Sequence, residues 1–334
     1  MENLYPLLMQ PGFDPRPWGT PDLSPIYPNH KFGEKIGEAW LTGDDCKVAN
    51  GPLAGKTLAY LSERYQRELV GEAARDARRF PLLLKFLFPH EKLSVQVHPD
   101  DTQALRVGQP WGKTECWYVA HAKPGAQIAL GLKPGVTAAQ LEESIHRNRA
   151  EELLNWVNVY AGDMIYVAAG TVHTLGPGSV IVETQQQSDT TYRLYDYGRP
   201  RELHLKDGMA AVKEKVGSGK VVRPAPRESA GGKIRCSSLV SAPYFVVEMF
   251  ECKEEPSRLE TRHESGGNSV QILVAVEGCG VIESPGMESV TFAKGDAVVI
   301  PACLGEFSVR PQWAVEFLRA YVPGTMLPEP QTRL

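Results

Sequence analysis

The chain has no Cys-x-x-Cys pair, no apolar run long enough to cross a bilayer and no excess of basic charge, and each absence removes a class of function. Its six cysteines, Cys46, Cys116, Cys236, Cys252, Cys279 and Cys303, are too sparse for a disulfide scaffold and are expected as small buried hydrophobes in a reducing compartment. Lysine and arginine number 36 against 40 aspartates and glutamates, a formal net charge of -4. Little counterion release is therefore to be gained on nucleic acid or an anionic membrane, and neither is expected as a partner. The start of the chain shows no charged segment followed by an apolar core and a cleavage site, so a cytoplasmic location is expected. What is present is apolar residue, 42% of 334, enough to bury one large core or two ordinary ones.

Residues 1–52 are rich in proline, glycine and aspartate, which predicts an ordered wrapping arm and not an independent domain. Short β-type runs then recur between Gly, Pro, Asn and Asp: Leu82 to Phe88, Leu93 to His98, Glu115 to Ala120, Met164 to Ala168, Val180 to Thr184 and Thr191 to Tyr195. Capping-box patterns at Thr137/Gln140 and Asn148/Glu151 predict two short helices, Thr137 to Ile145 and Asn148 to Val157, the first with Leu141 and Ile145 as core. The polar stretch 217–233 reads as a linker, and strand-like runs resume beyond it from Tyr244 to Tyr321. The expected organisation is an arm plus a barrel over 1–216, the linker, and a second β-unit over 234–334. An internal repeat supports it: Gly162-Asp163-Met164-Ile165-Tyr166-Val167 returns as Gly295-Asp296-Ala297-Val298-Val299-Ile300. His173 follows the first copy, whereas no histidine follows the second.

Chemistry concentrates in the first unit. In a strand, Leu93-Ser94-Val95-Gln96-Val97-His98-Pro99 aims Gln96 and His98 at one side, while Val95 and Val97 supply the apolar face and Pro99 ends the ladder. Glu115 and His173 add a carboxylate and a second imidazole. Such a tetrad of N and O donors suits Zn²⁺, with Fe²⁺ or Mn²⁺ less excluded than by thiolates. Lys113 lies two residues before Glu115 and shares its face if both are on a strand, which sets an ammonium beside the metal. Glu183 and Asp189 are two carboxylates available for ring opening or proton relay, and spacing does not choose between them. A guanidinium such as Arg193 suits a phosphate or an enediolate oxygen because it stays charged and binds through paired donors. Lys85, in an apolar run, either aims into a cavity or snorkels outward, and Trp18 either walls a sugar site or packs in the core.

In order along the chain, Arg16-Pro17-Trp18-Gly19, Gly37-Glu38-Ala39-Trp40, Pro81 to Leu87, Gln96-Val97-His98-Pro99-Asp100-Asp101, Gly112-Lys113-Thr114-Glu115, Gly170-Thr171-Val172-His173 and Glu183 through Arg193 to Arg199 resemble the cupin-type mannose-6-phosphate isomerases, phosphomannose isomerase type I, in the short bacterial form. The resemblance implies an all-β fold of two double-stranded β-helix (cupin, jelly-roll) barrels with a short helical insertion near 137–157. It implies one Zn²⁺ on Gln96, His98, Glu115 and His173, Arg193 as a catalytic or substrate-binding arginine, Glu183 as an active-site carboxylate, and interconversion of mannose 6-phosphate and fructose 6-phosphate. Lys85, Arg199 and Trp18 are its expected substrate contacts, and a monomer or weak homodimer its expected state. Arg199 stands where long members carry lysine, which bears on substrate preference. Two other readings of the same residues are an iron-dependent oxygenase and a noncatalytic sugar-phosphate-binding protein.

Overall fold

The computed structural model describes residues 3–263 and 267–334. Three antiparallel sheets account for most of it. The first unit faces an eight-stranded sheet against a five-stranded one. The eight strands run, edge to edge, Gly12–Thr20, Ile36–Trp40, Leu82–Leu87, Ser179–Gln186, Glu115–Ala122, Met164–Val167, Gly219–Val221 and Thr332–Arg333. The five run Tyr192–Tyr195, Val95–Val97, His173–Leu175, Gln127–Leu132 and Leu154–Asn158. A ten-stranded sheet, centred on Val246–Lys253, Glu306–Tyr321 and Gln271–Glu283, forms the second unit. This is the expected all-β, two-unit architecture. No helix is long and apolar enough to cross a membrane among the described residues.

Burial on both faces explains why Leu82–Leu87 reads as a continuous apolar run and not as an alternation. Leu87, Trp117, Val119, Ile165 and Ile181 point inward and meet Leu93, Ile128, Leu130 and Leu175 between the two sheets of the first unit. Leu82, Leu84, Phe86, Tyr166 and Val182 point outward and pack on Val247, Met249, Ile272, Val274 and Leu318 of the second unit. The second unit has its own interior, with Phe250, Leu273, Phe292, Ile300 and Phe317. The units also exchange strands. Leu7–Gln10 of the N-terminal arm pairs with Ala297–Ile300 of the second unit, while Thr332–Arg333 closes the edge of the first. The stretch 217–233 carries Gly219–Val221 on the eight-stranded sheet and Arg227–Ser229 on the ten-stranded one, so the chain crosses between units while bonded to each.

The helix expected after Thr137 is present as Ala138–His146, with the Thr137/Gln140 capping box formed and Leu141 and Ile145 buried against the five-stranded sheet. The second expected helix is not. Asn148 sits at φ +57 as the stop of the first helix, one 3-10 turn follows over Ala150–Leu153, and Leu154–Asn158 is a strand on Gln127–Leu132. The apolar spacing of Leu154, Trp156 and Val157 served a sheet edge, and tertiary pairing overrode the local helix signal.

Candidate active site

The strand Val95–Val97 pairs through Gln96 with both His173 and Arg193, which sets these residues side by side in the five-stranded sheet. His98 follows directly, and Pro99 stops the ladder. Asp100 then caps the helix Asp101–Arg106 with a complete capping box to Gln103. The Gly112 N–H donates to Asp101 Oδ1 at 2.9 Å and the Lys113 N–H to the Pro99 carbonyl at 3.0 Å, so the helix start pins the segment that leads into Glu115. A Cβ on Gly112 would lie 2.5 Å from the Asp100 carbonyl carbon, which is why this approach needs glycine. Gly170, at φ +92, donates its N–H to the His98 carbonyl and turns the chain toward His173.

His98, Glu115 and His173 converge, each 1% exposed, with ligand atoms all within 4.8 Å of one another. His98 Nε2 lies 3.5 Å from Glu115 Oε2, and His173 Nε2 lies 3.4 Å from Glu115 Oε1. The opposite ring nitrogens fix the tautomers: His98 Nδ1 donates to the Thr190 carbonyl at 3.0 Å and His173 Nδ1 to the Thr171 carbonyl at 2.9 Å. Each Nε2 therefore presents a lone pair to the carboxylate. His98 Nε2 and both Glu115 oxygens have no hydrogen-bond partner among the described residues. The Gln96 amide stands beside them, its Nε2 donating to His173 Nε2 at 3.2 Å and its Oε1 accepting from Ser94 Oγ at 3.2 Å. Buried acceptors facing one point, with no donor to His98 Nε2 or to either Glu115 oxygen among the described residues, fit a divalent cation.

The electrostatics agree. Burial, reinforced by Lys113 and by the neighbouring His173, pushes the His98 imidazole well below its usual range, and burial pulls His173 down to about 4, so both rings are neutral and able to ligate. Burial and then Glu183 raise the Glu115 carboxyl to about 8 against the pull of Lys113 and Lys85. A carboxylate held this far from its ordinary state gains most from a cation.

A cavity of about 450 Å³ opens over this centre. Of the residues marked in the sequence, Trp18, Lys85, Gln96, Lys113, Glu183, Asp189 and Arg193 line it. Lys113 Nζ lies 3.7 Å from Glu115 Oε2. Lys85 and Glu183 are register partners, their ends 3.4 Å apart, and Glu183 Oε2 accepts from the Trp117 indole at 3.2 Å. Trp18 is 3% exposed and belongs to the core as well as to the wall. Arg199 does not line the cavity: its guanidinium donates to Asp196 at 3.0 Å and to the Lys92 carbonyl at 2.8 Å, which turns it away. Arg201, fixed by Asp196 through two 2.7 Å bonds, lines it in its place.

Arg16 and Glu38 also line the cavity, although no role was read for them in the sequence. Glu38 Oε2 takes the Trp40 indole at 2.8 Å, Arg16 at 3.2 Å and Lys85 at 3.4 Å. Burial raises its carboxyl, but Lys85 and Arg16, with the Trp40 hydrogen bond, outweigh burial and hold it at about 2. Lys85 in turn is buried, which alone would discharge it; Glu183 and Glu38 outweigh that and keep it protonated. The signal for both residues was present in the motifs Arg16-Pro17-Trp18-Gly19 and Gly37-Glu38-Ala39-Trp40, whose adjacency comes only from strand pairing.

The family model of the type I phosphomannose isomerase catalytic domain matches residues 22–110. The mannose-6-phosphate isomerase ManA of Bacillus subtilis is 35% identical over 316 residues, 91% of this chain and 96% of that protein. The crystal structure of mannose 6-phosphate isomerase from Bacillus subtilis superposes with a TM-score of 0.82 at 30% identity, covering 94% of this chain and 99% of that one. A zinc-bound mannose 6-phosphate isomerase structure, 16% identical, shares the fold with a TM-score of 0.74 over 95% of this chain and 99% of that one. With two cupin-type barrels, a converging His-Glu-His centre and these relatives along nearly its whole length, the chain belongs to the type I mannose-6-phosphate isomerase family.

Proposed function

We propose that this protein interconverts mannose 6-phosphate and fructose 6-phosphate by moving a proton between C1 and C2 through an enediolate, with one Zn²⁺ held by Gln96, His98, Glu115 and His173. The observation that carries the reading is the convergence of two tautomer-fixed imidazoles on a buried carboxylate that nothing else satisfies. When bound, the ion supplies Lewis acidity toward the sugar oxygens, and a set with one anionic ligand leaves it net positive for that purpose. Lys113, beside the donor set, holds or passes a proton at its ammonium. Glu183 and Asp189 are the cavity-wall carboxylates that accept one. Lys85, pinned between Glu38 and Glu183, stays charged and serves as a fixed cation, not a base. Arg193, joined by Arg16 and Arg201, offers guanidinium donors to the phosphate, and Trp18 forms an apolar wall for the sugar. Arg199 acts through Asp196, which it shares with Arg201. The sugar phosphate is then the protein's small-molecule partner in the cytoplasm, with no nucleic acid or membrane required, and the chain works as a monomer or weak homodimer.

The test is NMR of the zinc-loaded protein with mannose 6-phosphate in D₂O. Fructose 6-phosphate is expected to form, and chelation is expected to stop it. Neither interconversion nor deuterium at C1 or C2 with any of zinc, iron or manganese would sink the proposal.

A further inference from the structure

A second cavity, of about 870 Å³, lies not over the metal donors but in the second unit. The sequence repeat and the strand registers show what stands there. The repeat aligns Val167 with Ile300; Val167 pairs with Glu115, and Ile300 pairs with Gln271, so Gln271 occupies the place of Glu115. Gln185 and Tyr321 are the next partners of those two residues, so Glu183 and Arg319, two positions back, are equivalent. Lys85 is the cross-strand partner of Glu183, and Glu248 is that of Arg319. The buried cation–anion pair of the first cavity is thus repeated in the second with its charges exchanged.

The donor set is not repeated: the strands Ser257–Glu260 and Glu306–Tyr321 turn Leu259 and Phe307 into the interior, and Glu306 is exposed. Arg262, just beyond the first of these strands, lines the cavity rim, where a guanidinium favours an anion. Arg319 is held rigid within the cavity wall. It bonds Glu248 Oε2 at 2.6 and 2.9 Å, lies 5.3 and 5.1 Å from the ring centres of Phe250 and Tyr321, and is 15% exposed. Arg227 and Arg258 join Arg262 and Arg319 on the cavity wall. Three carboxylates face these four, and one of them, Glu248, is already neutralised by Arg319.

We propose that the second barrel is a binding site for a small organic anion, a molecule whose phosphate or carboxylate group is taken by Arg262 and Arg319. The size fits, since small-molecule sites run from roughly 300 to 1,000 Å³. No catalysis is assigned to it, and the reading is independent of which residues turn over substrate in the first barrel.

The experiment is calorimetric titration of the zinc-loaded, full-length protein with inorganic phosphate, glucose 6-phosphate and citrate in separate arms, against Arg262→Glu. Arg262 is exposed at the rim, so its replacement spares the fold. The wild-type chain is expected to bind one equivalent more than the variant of at least one probe, or to bind it roughly tenfold more tightly, with the KM for mannose 6-phosphate unchanged by the substitution. Arg319→Lys is the second variant, because it keeps a charge against Glu248, and it is expected to weaken the same equivalent. Phosphate binding as well as glucose 6-phosphate identifies the oxyanion itself as the ligand group; citrate alone identifies a carboxylate. Identical stoichiometry and affinity in wild type and Arg262→Glu for all three probes overturns the proposal.

Discussion

Glu38 is a buried carboxylate that meets an indole, a guanidinium and an ammonium at once, and its worth to the fold depends on pH. Its carboxyl is depressed in the folded chain from 4.5 to about 2. The unfolded chain therefore binds more protons between those values, and stability rises with pH across that window. The contribution, on the order of 3 kcal/mol, is complete above pH 4.5 and disappears as the pH falls toward 2. Glu38→Gln is expected to cost about 3 kcal/mol at pH 7, because Lys85 and Arg16 lose a buried partner, and to differ little from wild type near pH 2. Urea unfolding of both proteins from pH 2 to 7 measures this. A gap that stays constant across the series would show that Glu38 acts by packing alone.

At the scale of elements, the strand around Gln96 was legible because alternation, a terminal proline and a capping aspartate all agree locally. The strand Leu154–Asn158 was not, since its partner Gln127–Leu132 lies more than twenty residues away and a capping pattern advertised a helix. Arg16 and Glu38 failed to stand out for a related reason. Their function comes from the pairing of Gly12–Thr20 with Ile36–Trp40, which no local spacing announces. The same limit hid Arg201, because only Asp196 decides which arginine reaches the cavity. Where local signals did agree, a small residue is decisive. Gly112→Ala would force a methyl to within 2.5 Å of the Asp100 backbone and push the Lys113–Glu115 wall from the helix that locates it. A loss of about 1–3 kcal/mol in stability is expected. Zinc affinity is expected to fall roughly tenfold or more, since a metal site tolerates little displacement. Thermal melts beside a competitive zinc titration separate the two effects, and unchanged zinc affinity would mean that the wall has other supports.

On the scale of the whole molecule, the eight-stranded sheet is a shared wall. Its inward residues Lys85, Glu115 and Glu183 belong to the cavity, and its outward residues Phe86, Tyr166 and Val182 belong to a core completed by the second unit. The metal centre is thus braced from behind by the second barrel, which gives that barrel a structural consequence whether or not it binds anything. Strand exchange ties the units further, through Leu7–Gln10 and Thr332–Arg333. Two units joined by a common core and by crossed termini cannot unfold independently without exposing that core. Ile272, fully buried at the junction, tests this. Ile272→Ala is expected to remove about 2–5 kcal/mol, the range for emptying such a site, and to lower one calorimetric transition without splitting it. Zinc release, followed with a chromogenic chelator during the same scan, is expected to move down with that transition, although Ile272 lies in the other unit from every metal donor. Two separated heat-absorption peaks, with only the one lacking zinc release displaced, would show that the barrels are thermodynamically separate and that the shared wall does not couple them.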